Sequence, residues 1–260
     1  MPDYERELEA AIDIVDAAGR LTLEHFGTKL DVELKGDESP VTVADRGAEK
    51  LIREKLEAAF PDDGILGEEF GEKAGTSGRR WIIDPIDGTQ SFIRAVPLYG
   101  VLVGLEDDGT CVVGAMRFPP LDESYWAARG GPAYRNGAVI RVDDARALSD
   151  ATLLSSDLKH EQYGGRFEDL DRLLHRVGRY RGWGDCYGYA LVASGRTEIM
   201  LDPLLNPWDI AAVLPILEAA GGRFVGWNGE GGIDAGSGIG TTAALFDEVC
   251  GVLHVPGHGS

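Results

Sequence analysis

The sequence predicts an α+β first half joined to an α/β second half. Helical periodicity opens the chain, short strand-like runs fill its middle, and strands alternate with helices after about residue 148. Residues 3 to 26 place Leu8, Ala11, Ile12, Val15, Ala18, Thr22 and Phe26 on one stripe, and Gly27 closes the pattern, which describes an amphipathic helix. A second helix is expected from about Ala44 to Ala59, with Ala48, Leu51, Ile52, Lys55 and Leu56 on one face and Pro61 as its stop. From Ile65 to Val142 the texture is strand-like, in runs such as Val101–Leu105, Val112–Met116 and Ser124–Ala128. Asn136–Gly137, inside Tyr134–Ile140, is a hairpin turn signal. Further along, Thr152–Ser155 reads as a strand, Phe167–Val177 and Asp185–Ala193 as helices, and Glu198–Leu201 as a strand. Pro207–Ala220 reads as a helix with proline at or near its first turn. Gly229–Gly240 is expected to be a loop and Pro256–Ser260 a loose tail. The two halves are expected to divide as residues 1–147 and 148–260.

A chain of 260 residues can bury a large core, in one domain or two closely packed halves. Its 43% hydrophobic and 27% charged content is that of an ordinary soluble enzyme. No apolar stretch approaches the roughly 20 residues that span a bilayer. The opening Met-Pro-Asp-Tyr-Glu-Arg-Glu is polar, unlike a secretory signal, so a cytoplasmic protein without a membrane partner is expected. The net charge of −19 argues against nucleic acid, whose phosphates it would repel. It favours cations only weakly and otherwise reads as a solubilising surface. Cys111, Cys186 and Cys250 are scattered, odd in number and without metal-ligand spacing, which suits a reducing compartment.

The most informative stretch is Trp81-Ile82-Ile83-Asp84-Pro85-Ile86-Asp87-Gly88-Thr89-Gln90. An apolar strand runs straight into two acids. Carboxylates at the end of a buried strand repel one another and are costly to desolvate. A divalent cation between them removes both costs, and hard oxygen donors suit magnesium or manganese. Pro85 holds the backbone extended, aiming the Ile86 carbonyl inward. Gly88 and Thr89 stand at an expected helix start, where backbone N–H groups can hold phosphate oxygens and glycine allows close approach. Thr89 is equally readable as a plain helix cap.

This segment resembles the signature of the inositol monophosphatase-like family of magnesium-dependent phosphatases. Three further motifs stand in the expected order: Ser39-Pro40-Val41-Thr42-Val43-Ala44-Asp45, Gly67-Glu68-Glu69, and Pro207-Trp208-Asp209-Ile210-Ala211. The resemblance covers roughly residues 5 to 250. It implies a layered αβαβα sugar-phosphatase fold, usually a homodimer, with two or three Mg2+ ions and Mn2+ as a possible substitute. It implies that Asp84 bridges two cations, that Glu68 and the Ile86 carbonyl complete one site, and that Asp87 and Asp209 complete the other. A two-cation arrangement activates the attacking water and stabilises the leaving oxygen, with no covalent phosphoenzyme. Thr89 would orient that water, with Asp45 or Glu68 accepting its proton. Asp87, Gly88, Thr89 and Gln90 would bind the phosphate. Glu69, adjacent to Glu68 and therefore pointing the other way in extended chain, is read as a solvated or supporting acid. Asp45 alone reads equally as a surface helix acid, Asp209 as a helix-start acid, and Lys35 as either a phosphate-steering group or a solvated loop lysine. Trp208 is expected in the core.

The leaving-group side is read from Gly182-Trp183-Gly184-Asp185-Cys186-Tyr187-Gly188-Tyr189, which resembles the histidinol-phosphatase branch of the family, as does Ser91-Phe92-Ile93-Arg94. Histidinol carries an ammonium group and a partly protonated imidazole, so its pocket should offer acids. Asp185 and Asp202 are the candidates, with a helix cap and a turn acid as their plainer readings. Arg94 and Arg181 either help hold phosphate or pair at the surface. The five histidines fall in no motif, and none is expected in the mechanism. The expected activity is hydrolysis of L-histidinol phosphate in histidine biosynthesis; an inositol-1-phosphate or broad sugar phosphatase shares every metal ligand and is the alternative. The two-residue gap between Asp84 and Asp87, deep inside the chain, disfavours the aspartyl-phosphate chemistry of haloacid-dehalogenase-like enzymes. A metal-stabilised scaffold is disfavoured by the full set Glu68, Asp84, Asp87, Thr89 and Asp209.

Overall fold

A computed structural model describes residues 4–29, 33–34, 40–158 and 166–258. In chain order the elements are α1 (Glu5–His25), β1 (Glu33–Leu34), β2 (Pro40–Val41), α2 (Val43–Ala59), β3 (Gly64–Gly67), β4 (Gly71–Lys73), β5 (Arg79–Asp87) and α3 (Thr89–Phe92). There follow β6 (Gly100–Asp107), β7 (Thr110–Phe118), β8 (Glu123–Ala128), β9 (Tyr134–Arg135), β10 (Ala138–Val139), β11 (Thr152–Ser155) and α4 (Phe167–Leu174). The chain continues through β12 (Arg179–Arg181), α5 (Asp185–Ala193), β13 (Ile199–Asp202), α6 (Pro207–Ile210), α7 (Val213–Ala219), β14 (Gly222–Val225), β15 (Gly238–Thr242) and α8 (Phe246–Val252).

Two sheets are sandwiched by three helical layers. The eight-stranded sheet runs β10-β9-β8-β7-β6-β5-β3-β4, all antiparallel except β3 beside β5. On one face lie α1 and α2: Ala11, Val15 and Ala18 from one helix and Ala48, Ile52 and Leu56 from the other meet Trp81, Ile83, Val103 and Leu105. The opposite face receives α5 and α7, whose Ala190, Val213 and Ile216 pack on Ile82, Leu102 and Met116. The same middle layer touches the five-stranded sheet, β12-β11-β13-β15-β14, through Met200. Beyond that sheet, α4 and α8 close the stack, with Leu170, Leu173, Phe246 and Val249 against Leu153, Ile199 and Leu201. The layers are therefore αβαβα. Each sheet face is apolar because it is covered, which is why β5 and β6 read as near-continuous hydrophobic runs.

The hairpin at Asn136–Gly137 has φ of 49° and 81°, the left-handed pair that a two-residue turn with right-handed strand twist requires. Three expectations are corrected. The helix expected over Pro207–Ala220 is interrupted at 211–212, where Pro215 has no N–H for the carbonyl of Ala211, although Ala211 and Ala212 keep helical backbone angles. The helix from Phe167 ends at Leu174 rather than Val177. Part of the glycine-rich stretch is not loop: residues 238–240 belong to β15, where the lack of a side chain at Gly238 and Gly240 makes room for the Tyr189 ring. The second sheet is mixed: β15 runs antiparallel to both β13 and β14, while β11 is parallel to β12 and β13. Among the described residues no helix is long and apolar enough to cross a membrane.

Candidate metal centre

Strand β5 does not stop at the acids. It carries through to Asp87, with Asp84 opposite Leu102 and Asp87 opposite Gly100 on β6. Three steps on β5 thus match two on β6, a bulge of one residue at Pro85–Ile86. Residues three apart in a regular strand face opposite sides. The bulge cancels that parity, and Pro85, which has no ladder donor, accommodates it. Asp84 and Asp87 consequently converge on one side of the sheet, and α6 brings Asp209 to them. One carboxylate oxygen from each of the three lies within 4.8 Å of the others.

Electrostatics make this cluster unstable on its own. Asp84 is buried, and desolvation, then the charges of Glu68, Asp87 and Asp209, push its carboxyl well above the usual range. Burial, then Asp185 and Asp209, does the same to Asp87, against the Cys186 amide, which donates to Oδ2 of Asp87 at 2.6 Å. Asp209 is pushed up to about 6 by burial, opposed by the Asn206 amide at 2.6 Å and a carboxyl–carboxyl bond with Asp84. Among the described residues no lysine or arginine is paired with any of the three. An all-oxygen donor set with Asp84 buried, Asp87 and Asp209 half-buried and no paired cation among the described side chains fits a hard divalent cation.

Glu68 follows β3, whose parallel register with β5 sets Gly67 beside Ile83 and so Glu68 beside Asp84. It stands outside the tight trio but is the foremost charged neighbour of Asp84. Glu69 adds a small upward push to the Arg46 guanidinium, which is paired with Glu33. The carbonyl of Ile86 accepts from the Thr89 hydroxyl at 3.0 Å. The cap of α3 is Gly88, not Thr89. Asp45 is buried rather than at the surface: its Oδ2 accepts from the Thr42 N–H at 2.8 Å and hydroxyl at 2.6 Å, a reciprocal cap on α2. The next-door Ala44 packs with Ile86 and Phe92, so this cap borders the site. Trp208 is half-buried against the middle-layer core. Gln90 is exposed, its carbonyl and side chain both accepting from Arg94, while Arg181 bonds the carbonyl of Tyr180. Lys35 and His160 lie outside the described residues.

Gly88 has φ 82°, and a Cβ there would sit 3.0 Å from Oδ2 of Asp185 and 3.1 Å from the carbonyl of Leu98. Gly88→Ala is therefore expected to cost about 1–2 kcal/mol for the left-handed backbone alone and to push Asp185 off the site. The variant should show a lower melting temperature and at least a tenfold loss in kcat/KM; wild-type values for both would contradict this packing.

Asp185 is the first residue of α5, not its cap, and holds the left-handed φ of 54°. Its N–H donates to the Ser156 hydroxyl at 2.8 Å, and burial raises its carboxyl to about 6, against that hydroxyl's hydrogen bond. Asp202 sits a layer behind. It is only 4% exposed, with the Ser156 and Tyr189 hydroxyls on its carboxyl, so it is a buried acid and not the plain turn acid that was its simpler reading. Sequence reading passed over Ser156, Asn206 and the Cys186 amide. Asn206 before proline was a legible helix-start signal; Ser156 carried none beyond following a strand.

The chain belongs to the inositol monophosphatase family, which it matches over residues 3–252. The family is generally metal-dependent. A histidinol-phosphatase from Chlorobaculum parvum is 47% identical over 234 residues, 90% of each chain. An inositol-1-monophosphatase from Rhizobium meliloti is 39% identical, over 88% of this chain and 89% of its own. The extragenic suppressor protein suhB from Bartonella henselae superposes with a TM-score of 0.91 at 30% identity, over 96% of this chain and 98% of its own.

Proposed function

We propose that the protein is a magnesium-dependent phosphomonoesterase that hydrolyses L-histidinol phosphate to histidinol and inorganic phosphate. The observation that carries the reading is the convergence of Asp84, Asp87 and Asp209 with Asp185 at their flank. Glu68, Asp84, Asp87, Asp209 and the Ile86 carbonyl would hold the cations. When bound, they would supply Lewis-acid polarisation of the phosphoryl oxygens and lower the pKa of water. Thr89 and Glu68 would orient the attacking water and take up its proton, with Asp45 as the other candidate acceptor. The first-turn N–H groups of Gly88, Thr89 and Gln90, which have no intrahelical acceptors, would hold phosphate oxygens. No side chain becomes phosphorylated in this scheme.

Selectivity falls to Asp185. Its carboxylate is half-buried beside Gly88, with Trp183 exposed two residues earlier. A cationic amino alcohol would gain there a charge-assisted hydrogen bond worth roughly 1.5–3 kcal/mol, on the order of 10- to 100-fold in affinity. Asp202, one layer behind, would act through Ser156. The 47% identity to a histidinol-phosphatase supports this substrate. The 39% relative keeps inositol 1-phosphate as the second reading. Assays of both esters with Mg2+, after chelation and re-addition, decide between them: a higher kcat/KM for inositol 1-phosphate selects the second reading. Hydrolysis of neither would leave a metal-stabilised scaffold. Asp185→Ala should raise KM for histidinol phosphate about tenfold or more and leave a neutral ester nearly unaffected; equal effects on both would remove Asp185 from the pocket. The same reading places the enzyme in histidine biosynthesis, as a cytoplasmic homodimer. The free thiols of Cys111, Cys186 and Cys250 support a reducing compartment, and a sedimentation measurement tests the dimer.

A further inference from the structure

Behind Glu68 stands a carboxylate that no step above uses. Glu49, on α2, is completely buried. Ala48, Ile52 and Leu56 carry that helix's contact with the sheet, and Glu49 stands one position off their stripe, under the turn that follows β3. Its Oε2 accepts from the N–H of Glu69 at 2.7 Å. Its Oε1 accepts from the N–H of Phe70 at 3.2 Å and from Nε of Arg53 at 2.7 Å. Arg53, one turn along the helix, also donates through Nη2 to the carbonyl of Gly71. The carboxylate lies so close to the chain that a Cβ at Gly67 would fall 2.0 Å from Oε1.

We infer that Glu49 is a positioning residue for Glu68. The N–H of Glu68 is held by the carbonyl of Ile83 at 3.3 Å, which fixes the peptide plane before it. The N–H of Glu69, held by Glu49, fixes the plane after it. With both planes set, the Cα–Cβ direction of Glu68 is set too, and it leads toward Asp84. A buried carboxylate is costly unless fully hydrogen-bonded, and this one directs its bonds to two amides of this turn and to the arginine that spans to Gly71. Ligand-orienting partners of this kind are worth roughly 10- to 100-fold in metal affinity or activity. The inference rests on the reading of Glu68, Asp84, Asp87 and Asp209 as the cation site.

The test titrates Mg2+ against the whole protein, reading the melting temperature and, separately, kcat and KM for histidinol phosphate. In Glu49→Gln, which keeps the size but weakens acceptance from the amides and Arg53, the Mg2+ midpoint should rise about tenfold or more. In that variant kcat should fall at fixed Mg2+, and KM for the ester should change less than twofold. Arg53→Lys, a milder change that keeps the charge but not the fork spanning Glu49 and Gly71, should raise the midpoint severalfold. If either folded variant loses thermal stability but keeps the wild-type midpoint, Glu49 is structural only and the inference is overturned. If the wild type itself shows no Mg2+ response, the cation reading fails instead, and the two failures are separable.

Discussion

Asp84→Asn is expected to abolish turnover while leaving the metal-free protein at least as stable as the wild type at neutral pH. Asp84 is buried, and Glu68, Asp87 and Asp209 all oppose its ionisation. Asparagine is nearly isosteric and its oxygen can still accept from the Ile86 N–H, now 3.0 Å from Oδ1. The substitution therefore relieves repulsion without opening a cavity. It also removes the acid on which the other carboxylates centre. Cation assistance is worth several kcal/mol in such reactions, and each 1.36 kcal/mol is tenfold in rate, so kcat should fall on the order of a thousandfold or more. The accompanying readout is thermal: Mg2+ should no longer raise the melting temperature. A variant that kept a tenth of wild-type activity, or the wild-type increment with Mg2+, would show that Asp84 is not at the centre.

The second large effect is on pH. Asp185 and Asp209, raised to about 6, hold protons in the folded protein at pH 5 that the unfolded chain has largely released, and Asp84 and Asp87 are displaced in the same direction. The native state then binds more protons than the unfolded state, so metal-free stability is full below about pH 4 as far as these groups are concerned. It falls as pH rises through about 6. Cations need the ionised forms and release those protons on binding. The Mg2+-induced rise in melting temperature should therefore be small at pH 5 and large at pH 7.5. Each tenfold excess of Mg2+ over its Kd adds about 1.4 kcal/mol, or roughly 2–4 °C for a chain of this size. Melting curves at both pH values, with and without Mg2+, check the sign. A Mg2+ increment larger at pH 5 than at pH 7.5 would contradict the cluster described here.

Much of this architecture was legible from residue order. The stripe through Leu8, Ala11 and Val15 located α1, the Asn-Gly pair located the β9–β10 hairpin, and the strand before Asp84 located β5. Where reading failed, a local signal competed with a tertiary one. Pro215 interrupts a helix that periodicity would have continued. Glycines that look like loop in Gly229–Gly240 instead admit Tyr189 to the face of β15. Asp202 resembles a turn acid at a strand end, and only the packing of Ser156 and Tyr189 on it sets it behind Asp185.

The sequence by itself determined which oxygens are available and in what order, since residue identity and apolar period are properties of neighbouring positions. The tertiary structure decided which of them meet. A one-residue bulge turned Asp84 and Asp87 to the same side, sheet register set Glu68 beside them, and a helix from the far half delivered Asp209. Burial then raised their proton affinity, because desolvation and mutual repulsion exist only once distant segments are packed together.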